Sequence, residues 1–475
     1  MAFSFRGPRA IGVSLATVVA SFLLLTATCD AQPILVDGSL DDWGDGSSAR
    51  ADANYVYLRL VFEDPLAMGG AGKPIKIHVD ADGDAETGFG GAEVTITYSD
   101  PTQRENRRWA PRVRIFDQQG ELITSPPASQ VDLHAAPTWA SDVYELRFTR
   151  TGHFRRALGE IGRGRVTVTF GDETVLDAEP LDFVQRASRV PPADVIVPAK
   201  PAGGLRVMAW NVLWGSPVSE PDAFARILEA TKPDVVLIQE WDRGEATPAD
   251  ISRWFDTHAA WGREVADRDW DVSDGEAWGV AIATPHAIVA TDNNDLFAPG
   301  TRWDFPVRLA SAVIETPLGR VATGSLHLKC CGTLASEEDR RRIAEARAIN
   351  AVMSDLASDH GASFMVLGGD FNANGTRDVL DLSAAELDTD GSSLAWAEAV
   401  VLGQSAAYTH GRPESDGPRS RLDFIGYPDA GLRAVNSFVL DTWRLSDASL
   451  RQAGLQRRDS QASDHLPVIV DLVPR

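Results

Sequence analysis

The chain has 475 residues, 44% of them hydrophobic and 24% charged, with a formal net charge of −23. That length predicts about two or three domains with buried cores, and the composition excludes global disorder. The acidic surplus disfavours a dedicated nucleic-acid binder, while leaving room for a nuclease with a local basic groove.

At the start, Arg6 and Arg9 precede an uninterrupted run of apolar and small residues, Ile11 to Thr26, and "CDAQ" offers small residues for cleavage before Gln32. This pattern predicts an export signal over residues 1–31 and a secreted or periplasmic protein. The segment is short for a membrane anchor. A lipoprotein anchored at Cys29 is the lesser alternative, because "TATC" lacks the small residue usual before a lipidated cysteine. Without the signal, the cysteines left are Cys330 and Cys331 in "HLKCCG". Adjacent Cα atoms stand about 3.8 Å apart across a trans peptide, so a vicinal disulfide is strained. Export favours oxidation, and both that ring and two free, buried thiols remain open.

Residues 32–186 read as an antiparallel all-β sandwich. "YVYLRLVFE", "PIKIHVDAD", "EVTITYSD", "WAPRVRIFD", "DVYELRFTR" and "RVTVTFGDE" alternate with period two between Gly, Pro and Asp turns. "ILVDGSLDDW" and "VDADGDAETGFGG" resemble stretches of the carbohydrate-binding-module-like domains often appended to exported enzymes. A carbohydrate is accordingly an expected partner of this domain; Trp43 could serve as a sugar platform, but a sandwich-core residue is the expected reading. Asp80, Asp82 and Asp84 have a spacing that presents oxygens to calcium. No bidentate Glu follows in register, so an Asp/Gly-rich turn is the expected reading.

"VPPADVIVPAKPAGG" lies in a Pro/Gly linker, residues 187–204, which predicts a semi-rigid spacer between independently folding domains. Residues 205–475 then alternate strand-like runs (205–210, 234–239, 280–284, 310–315, 320–326, 364–369, 422–426, 468–472) with helical ones, an α/β domain. The clearest helix is capped by Ser336 and runs to about Ser358. Its "EEDRRR" run reads as a solvated face.

Polar residues stand at the ends of these strands: Asn211 in "LRVMAWNVLWG", Glu240 in "DVVLIQEW", His327 in "ATGSLHLK", Asp370 and Asn372 in "FMVLGGDFNANG", Asp423 in "SRLDFIGY", and Asp464 and His465 in "SDHLPVIVDL". One such residue is usually a turn or cap. Six strand ends, each offering a ligand, base or donor, are hard to explain by packing. In this order the blocks resemble the endonuclease/exonuclease/phosphatase superfamily, the deoxyribonuclease-like fold, with "GGDFNAN" and "SDHLP" the specific ones. The resemblance spans Leu205 to Arg475. It implies a four-layer α+β sandwich, two packed β-sheets flanked by helices, and Mg²⁺-dependent cleavage of phosphodiesters or phosphomonoesters.

A hard divalent cation takes oxygen ligands, often one or two carboxylates plus water and phosphate. Glu240 is the best single ligand, assisted by Asn211 and Asp464, with Mn²⁺ a possible substitute for Mg²⁺. The resemblance implies Asp370 as the group that orients or deprotonates the attacking water, Asn372 as a transition-state donor, Asp423 and His465 as an Asp–His dyad, and His327 as a second imidazole for the phosphate. The expected substrate is a nucleic acid, a phospholipid headgroup or an inositol phosphate, with Arg302, Arg308, Arg412, Arg419 and Arg421 available to line a local phosphate groove. No stable protein partner is implied. The competing reading is a non-catalytic extracellular sugar- or surface-binding protein that uses its first domain.

Overall fold

Alternation along the first domain's strands yields a two-sheet sandwich in the computed structural model, which describes residues 34–475 except 45, 100–109, 243–244, 276–278, 293–295, 301–304 and 414–416. The export signal read over residues 1–31, with Cys29, lies outside the described residues, as does Arg302. Among the described residues no helix is long and apolar enough to cross a membrane. One sheet has the order Ala49–Ala51, Tyr55–Leu66, Ser141–Thr149, His134–Ala136; the other runs Glu173–Phe183, Gly162–Phe170, Ile75–Asp80, Val94–Tyr98, Arg112–Phe116, Leu122–Thr124. Alternate residues such as Val56, Leu58 and Leu60, or Ile75, Ile77 and Val79, point into one shared core, as the period of two requires.

Trp43 is fully buried with Ile34, Val36, Tyr55, Tyr57 and Ala136, and its Nε1 donates to Glu145 Oε1 at 2.6 Å, so it is no sugar platform. Asp80 and Asp82 gather with Glu93, not with Asp84, their carboxylate oxygens within 4.8 Å of one another. Those of Asp80 and Glu93 accept from the turn's own Gly83, Ala81 and Thr87.

The second domain has two sheets. The first has the order Asp271–Asp274, Ala281–Thr284, Val235–Gln239, Leu205–Asn211, Val468–Pro474, Leu432–Val439, Val400–Val401; the second runs Ile288–Ala290, Leu309–Thr316, Gly319–His327, Phe364–Asp370, Asp423–Tyr427, Ala395–Trp396. Every residue of Leu205–Asn211 is buried. Leu205, Val207 and Ala209 meet the other sheet, while Met208 and Trp210 meet the helices Pro221–Thr231 and Pro248–His258. The opposite outer face is covered by Glu337–His360 and Asp378–Ala384. The result is the expected four-layer sandwich, and two-sided burial explains why its central strands read as unbroken apolar runs.

Two further expectations change. The "EEDRRR" run is not a solvated face: Asp339, Arg341 and Arg342 are buried. Arg341 Nε donates to Glu345 Oε1 at 2.7 Å, and Arg342 Nη1 donates to the carbonyls of Lys329 and Cys331 at 2.9 and 2.6 Å. Buried charges persist only with such partners, and Arg342 finds its carbonyls in a separate loop. The linker, expected as a semi-rigid spacer, docks on the second domain. Ala193 N–H donates to Arg444 O and its own carbonyl accepts from Ser446 N–H, while Val195 and Val197 pack on the second domain's helical side.

The two domains also share a buried ion cluster. Asp132 of the first accepts from Tyr55 and faces Arg147, and from the second domain it meets Arg419 at 3.2 Å and Arg444. Arg147 Nη1 crosses to Ser405 O at 2.9 Å. Burial alone would raise the Asp132 carboxyl, but Arg444, Arg147 and Arg419 hold it well below the usual carboxylate range.

Candidate active site

Strand pairing brings the polar strand ends together. Asn211 is level with Gln239 in a parallel pair, His327 with Asp370 in another, and Asp370 with Asp423 in an antiparallel one. Val468 pairs with Ala209, so the chain entering the Val468–Pro474 strand arrives beside Asn211. Ser463 Oγ donates to Asn211 O at 2.7 Å, and Trp210 Nε1 donates to His465 O at 3.1 Å, which fixes that arrival. Gly369 has φ +139°, and a Cβ there would collide with the Leu326 carbonyl, so glycine is needed for the strand to deliver Asp370. Glu240 and Asn372 both adopt left-handed backbone, φ +58° and +46°, a cost that persists where surrounding structure holds it.

Asp370 is the hub. Its Oδ1 accepts from Asn372 N–H at 2.9 Å and its Oδ2 from Asn211 Nδ2 at 3.1 Å. His327 Nε2 stands 3.5 Å and His465 Nε2 3.7 Å from the same Oδ2. Burial pushes the Asp370 carboxyl up to about 7 despite the opposing pull of His465.

The two imidazoles differ. His465 Nδ1 lies 2.8 Å from Asp423 Oδ2, which also accepts from Thr409 Oγ1 at 2.6 Å. Burial alone would lower His465, but Asp423 and Asp370 overcome it and push the ring up to about 10, so it is an imidazolium. His327 Nδ1 instead faces Arg308 Nη1 at 2.8 Å. Arginine only donates, so this Nδ1 accepts, and the proton sits on Nε2 towards the carboxylates. Burial, then Arg308, holds His327 well below its ordinary value, which keeps it neutral.

Glu240 lies just past its strand, its side chain 14% exposed and its Oε1 3.6 Å from His327 Nε2. Burial raises its carboxyl, against the opposing pull of Asn211 and His465. Asp464 is half-buried and acts on Glu240 through its charge. Asn372 Nδ2 donates to Leu328 O at 3.2 Å; a second amide hydrogen remains for the cavity. Asp370, Asp423 and His465 lie close enough to suggest a metal cage. A cationic ring is a poor ligand, however, and Asp423 Oδ2 is already occupied by His465 and Thr409. A hard cation fits better at Glu240, where among the described residues the single ion-pair partner is the neutral His327.

All eight residues read from the sequence therefore stand in one neighbourhood, which Asp464 joins through its charge on Glu240 and His465. The arginines behave differently from expectation. Arg308 is spent on His327 and Leu328 O, Arg419 on Asp132, Arg421 on Ala397 O, and Arg412 reaches Ser463 O. They build walls and not an open phosphate groove. Sequence reasoning missed Thr409, the tautomer-setting part of Arg308, and His410, whose ring centroid lies 4.7 Å from that of His465. "YTH" carries no signal of its own.

The site opens on a cavity of about 450 Å³ lined by Glu240, His327, Asp370, Asn372 and His465. Its far wall is Met68, Tyr98, Pro137 and Tyr144 of the first domain. Gly70 abuts Thr333 across that rim, where a Cβ would collide with the threonine side chain.

Residues 208–465 match the sequence model of the endonuclease/exonuclease/phosphatase family. A search of curated proteins finds no match. Among solved structures, the chain is similar to the human Nocturnin catalytic domain with bound sulfate (19% identity, 58% of this chain and 97% of that one, TM-score 0.36). It is similar to the Bacteroides thetaiotaomicron mannosyl-6-phosphatase Bt3783 (17%, 57% and 99%, TM-score 0.39). It is also similar to sphingomyelinase C from Streptomyces griseocarneus (19%, 56% and 99%, TM-score 0.36).

Proposed function

The chain belongs to the endonuclease/exonuclease/phosphatase family, whose members hydrolyse phosphoric esters, and from that premise we propose that it is an exported Mg²⁺-dependent phosphoesterase acting on small organic phosphoesters. The observation that carries the reading is the convergence of two imidazole Nε2 atoms, one neutral and one cationic, on Asp370 Oδ2. A carboxylate flanked by two N–H donors suits attack by water on a phosphoryl group. Asp370 takes the proton of the water or orients it, and His327 and His465 donate to the phosphoryl oxygens. Asn372 offers its remaining hydrogen to the same oxygens. Glu240 and Asn211, with Asp464 beside them, would hold Mg²⁺, for which Mn²⁺ is the natural substitute. When bound, such a cation acts as a Lewis acid that offsets charge on the phosphoryl oxygens.

The preference for a small substrate is supported by the wall that the first domain contributes. A cavity of about 450 Å³ is of small-ligand size, and apolar Met68, Tyr98 and Tyr144 suit an apolar substituent such as that of a phospholipid. Net charge −23 further disfavours a long polyanion.

The test is hydrolysis of bis-p-nitrophenyl phosphate, sphingomyelin, inositol phosphates and plasmid DNA with Mg²⁺, with Mn²⁺ and with EDTA. Activity on a small ester that EDTA abolishes and either cation restores is the expected result. Full activity in chelator refutes the metal assignment, and preferential degradation of plasmid refutes the substrate class.

A further inference from the structure

The cavity wall carries a second chemistry that hydrolysis does not use. Cys330 and Cys331 follow His327 on the same segment, both face the cavity that holds Asp370 and His465, and both are free. Cys331 is exposed and Cys330 half-buried, so the expectation of two buried thiols does not hold. The Cys331 S–H donates to Cys330 Sγ at 2.9 Å, and Lys329 Nζ stands 3.6 Å from that sulfur. We propose that Cys330 and Cys331 form a thiol–disulfide exchange site for small-molecule disulfides, and that its oxidation lowers phosphoester turnover.

The two sulfurs have different chemistry. The thiolate is the nucleophile in exchange. The hydrogen bond from Cys331, with Lys329 and Arg308 opposing the cost of burial, holds the Cys330 thiol down to about 5, whereas Cys331 is pushed up. Cys330 is therefore the attacking sulfur. Its thiolate bonds to one sulfur of R–S–S–R and expels RS⁻. Cys331 then gives its proton to that RS⁻ and attacks Cys330 Sγ, which breaks the mixed disulfide and expels a second RS⁻. The second RS⁻ takes up the proton that Cys330 had already released to solvent. Two protein thiols are oxidised and one disulfide is reduced to two thiols. An eight-membered ring between neighbouring residues is strained, and strained disulfides are the readily reduced, regulatory ones.

The loop is placed to pass that strain to the site. Leu328 O holds Asn372 Nδ2 and Arg308 Nη2, Arg342 grips the carbonyls of Lys329 and Cys331, and Cys331 already has φ +70°. Two residues on, Thr333 abuts Gly70 of the first domain. Closing the ring moves backbone that positions both a proposed donor and the tautomer-setting arginine.

The effect on turnover rests on the proposed function; the exchange itself does not. The experiment uses the full chain with Cys29→Ser, oxidised glutathione as the disulfide, thiol titration, intact mass, and turnover of bis-p-nitrophenyl phosphate. Both thiols should disappear with a mass loss of two hydrogens and no retained adduct. Turnover should fall by about tenfold or more and return with dithiothreitol. Adding Cys331→Ser should trap one glutathionyl adduct, and adding Cys330→Ser instead should slow the reaction about tenfold or more. Thiols that persist, or Cys330→Ser reacting as fast as its parent, would overturn the site. Complete oxidation with unchanged turnover would overturn the control of activity. Loss of both thiols in a chain whose reduced form hydrolyses no phosphoester would uphold the exchange site and sink the hydrolase reading.

Discussion

Replacing Asp423 by Asn tests the dyad with little change of shape. Asp423 Oδ2 receives two donors, His465 Nδ1 and Thr409 Oγ1, at 2.8 and 2.6 Å. Thr409 Oγ1 also accepts from the backbone N–H of Leu422 and Asp423, so its own proton is committed to the carboxylate. An asparagine must keep its oxygen in that position, which leaves its NH₂ at the buried Oδ1 position, where no hydrogen-bond partner is found among the described residues. Thr409 thus prevents the amide from flipping, and the imidazole keeps its Nδ1 proton. What is lost is the charge that sustains the imidazolium. A hydrogen bond to a charged partner is worth about 1.5–3 kcal/mol, and an orphaned buried donor costs about 1–3 kcal/mol. The orphan should appear in folding stability. The missing charge should appear in turnover, where about 2–3 kcal/mol corresponds to roughly 30- to 160-fold in kcat. The assay is kcat and KM on bis-p-nitrophenyl phosphate for Asp423→Asn, His465→Ala and the double variant, with thermal melts for each. The double should fall close to the worse single, because the pair acts as one unit. A folded Asp423→Asn with parental kcat, or single losses that multiply in full, would refute the dyad.

Replacing Arg308 by Met frees His327 Nδ1 and removes one of the causes that keep the ring neutral. The expected result is a loss of roughly tenfold or more in kcat, together with mixed Nδ1/Nε2 tautomers in imidazole ¹⁵N spectra. Replacing Asp132 by Ala leaves buried Arg147 and Arg419, and half-buried Arg444, around an absent charge; a loss of about 3–5 kcal/mol by chemical denaturation is expected. Because the folded Asp132 titrates below its unfolded value, its contribution is fully present above about pH 4 and is lost as the pH falls from there. Asp132→Asn should therefore flatten the acid limb of the stability profile. A fragment of residues 205–475 leaves Arg419 and Arg444 without Asp132, their closest carboxylate partner, so poor solubility or reduced stability is expected in sedimentation and melts. A fragment as stable as the full chain would show that the ion cluster is incidental.

The strand ends were legible because an unbroken apolar run and a polar residue adjoin there in the sequence. Apolar runs such as Val235–Gln239 mark two-sided burial, and the polar residue just past each run stands at a strand end, on the rim of the sheet. Pairing register then does the rest, since a parallel pair such as 319–327 with 364–370 aligns His327 and Asp370 automatically. What stayed hidden depends on tertiary partners. Arg308 precedes its strand like any solvent-facing cation until His327 lies beside it. Arg341 and Arg342 resemble a hydrated helix face; the Lys329 and Cys331 carbonyls make the burial of Arg342 tolerable, and Glu345 that of Arg341. Asp132 sits in an irregular turn with no periodicity to mark it, yet it joins the two domains. Glu93 reaches the Asp80 cluster through a loop whose path no spacing rule anticipates.

The Val468–Pro474 strand lies between 205–211 and 432–439 in the middle of its sheet, not at an edge. During synthesis, its two neighbours emerge with an unfilled slot between them, and His465 is still to come. A growing chain therefore has neither a closed sheet nor its imidazolium until this segment is made and inserted. On the role proposed for His465, a chain that ends before this segment lacks one of the donors to the phosphoryl group. The cost is kinetic: closing a contact between residues as distant as 205 and 472 carries a large loop entropy, so folding is slow and the open slot is exposed meanwhile.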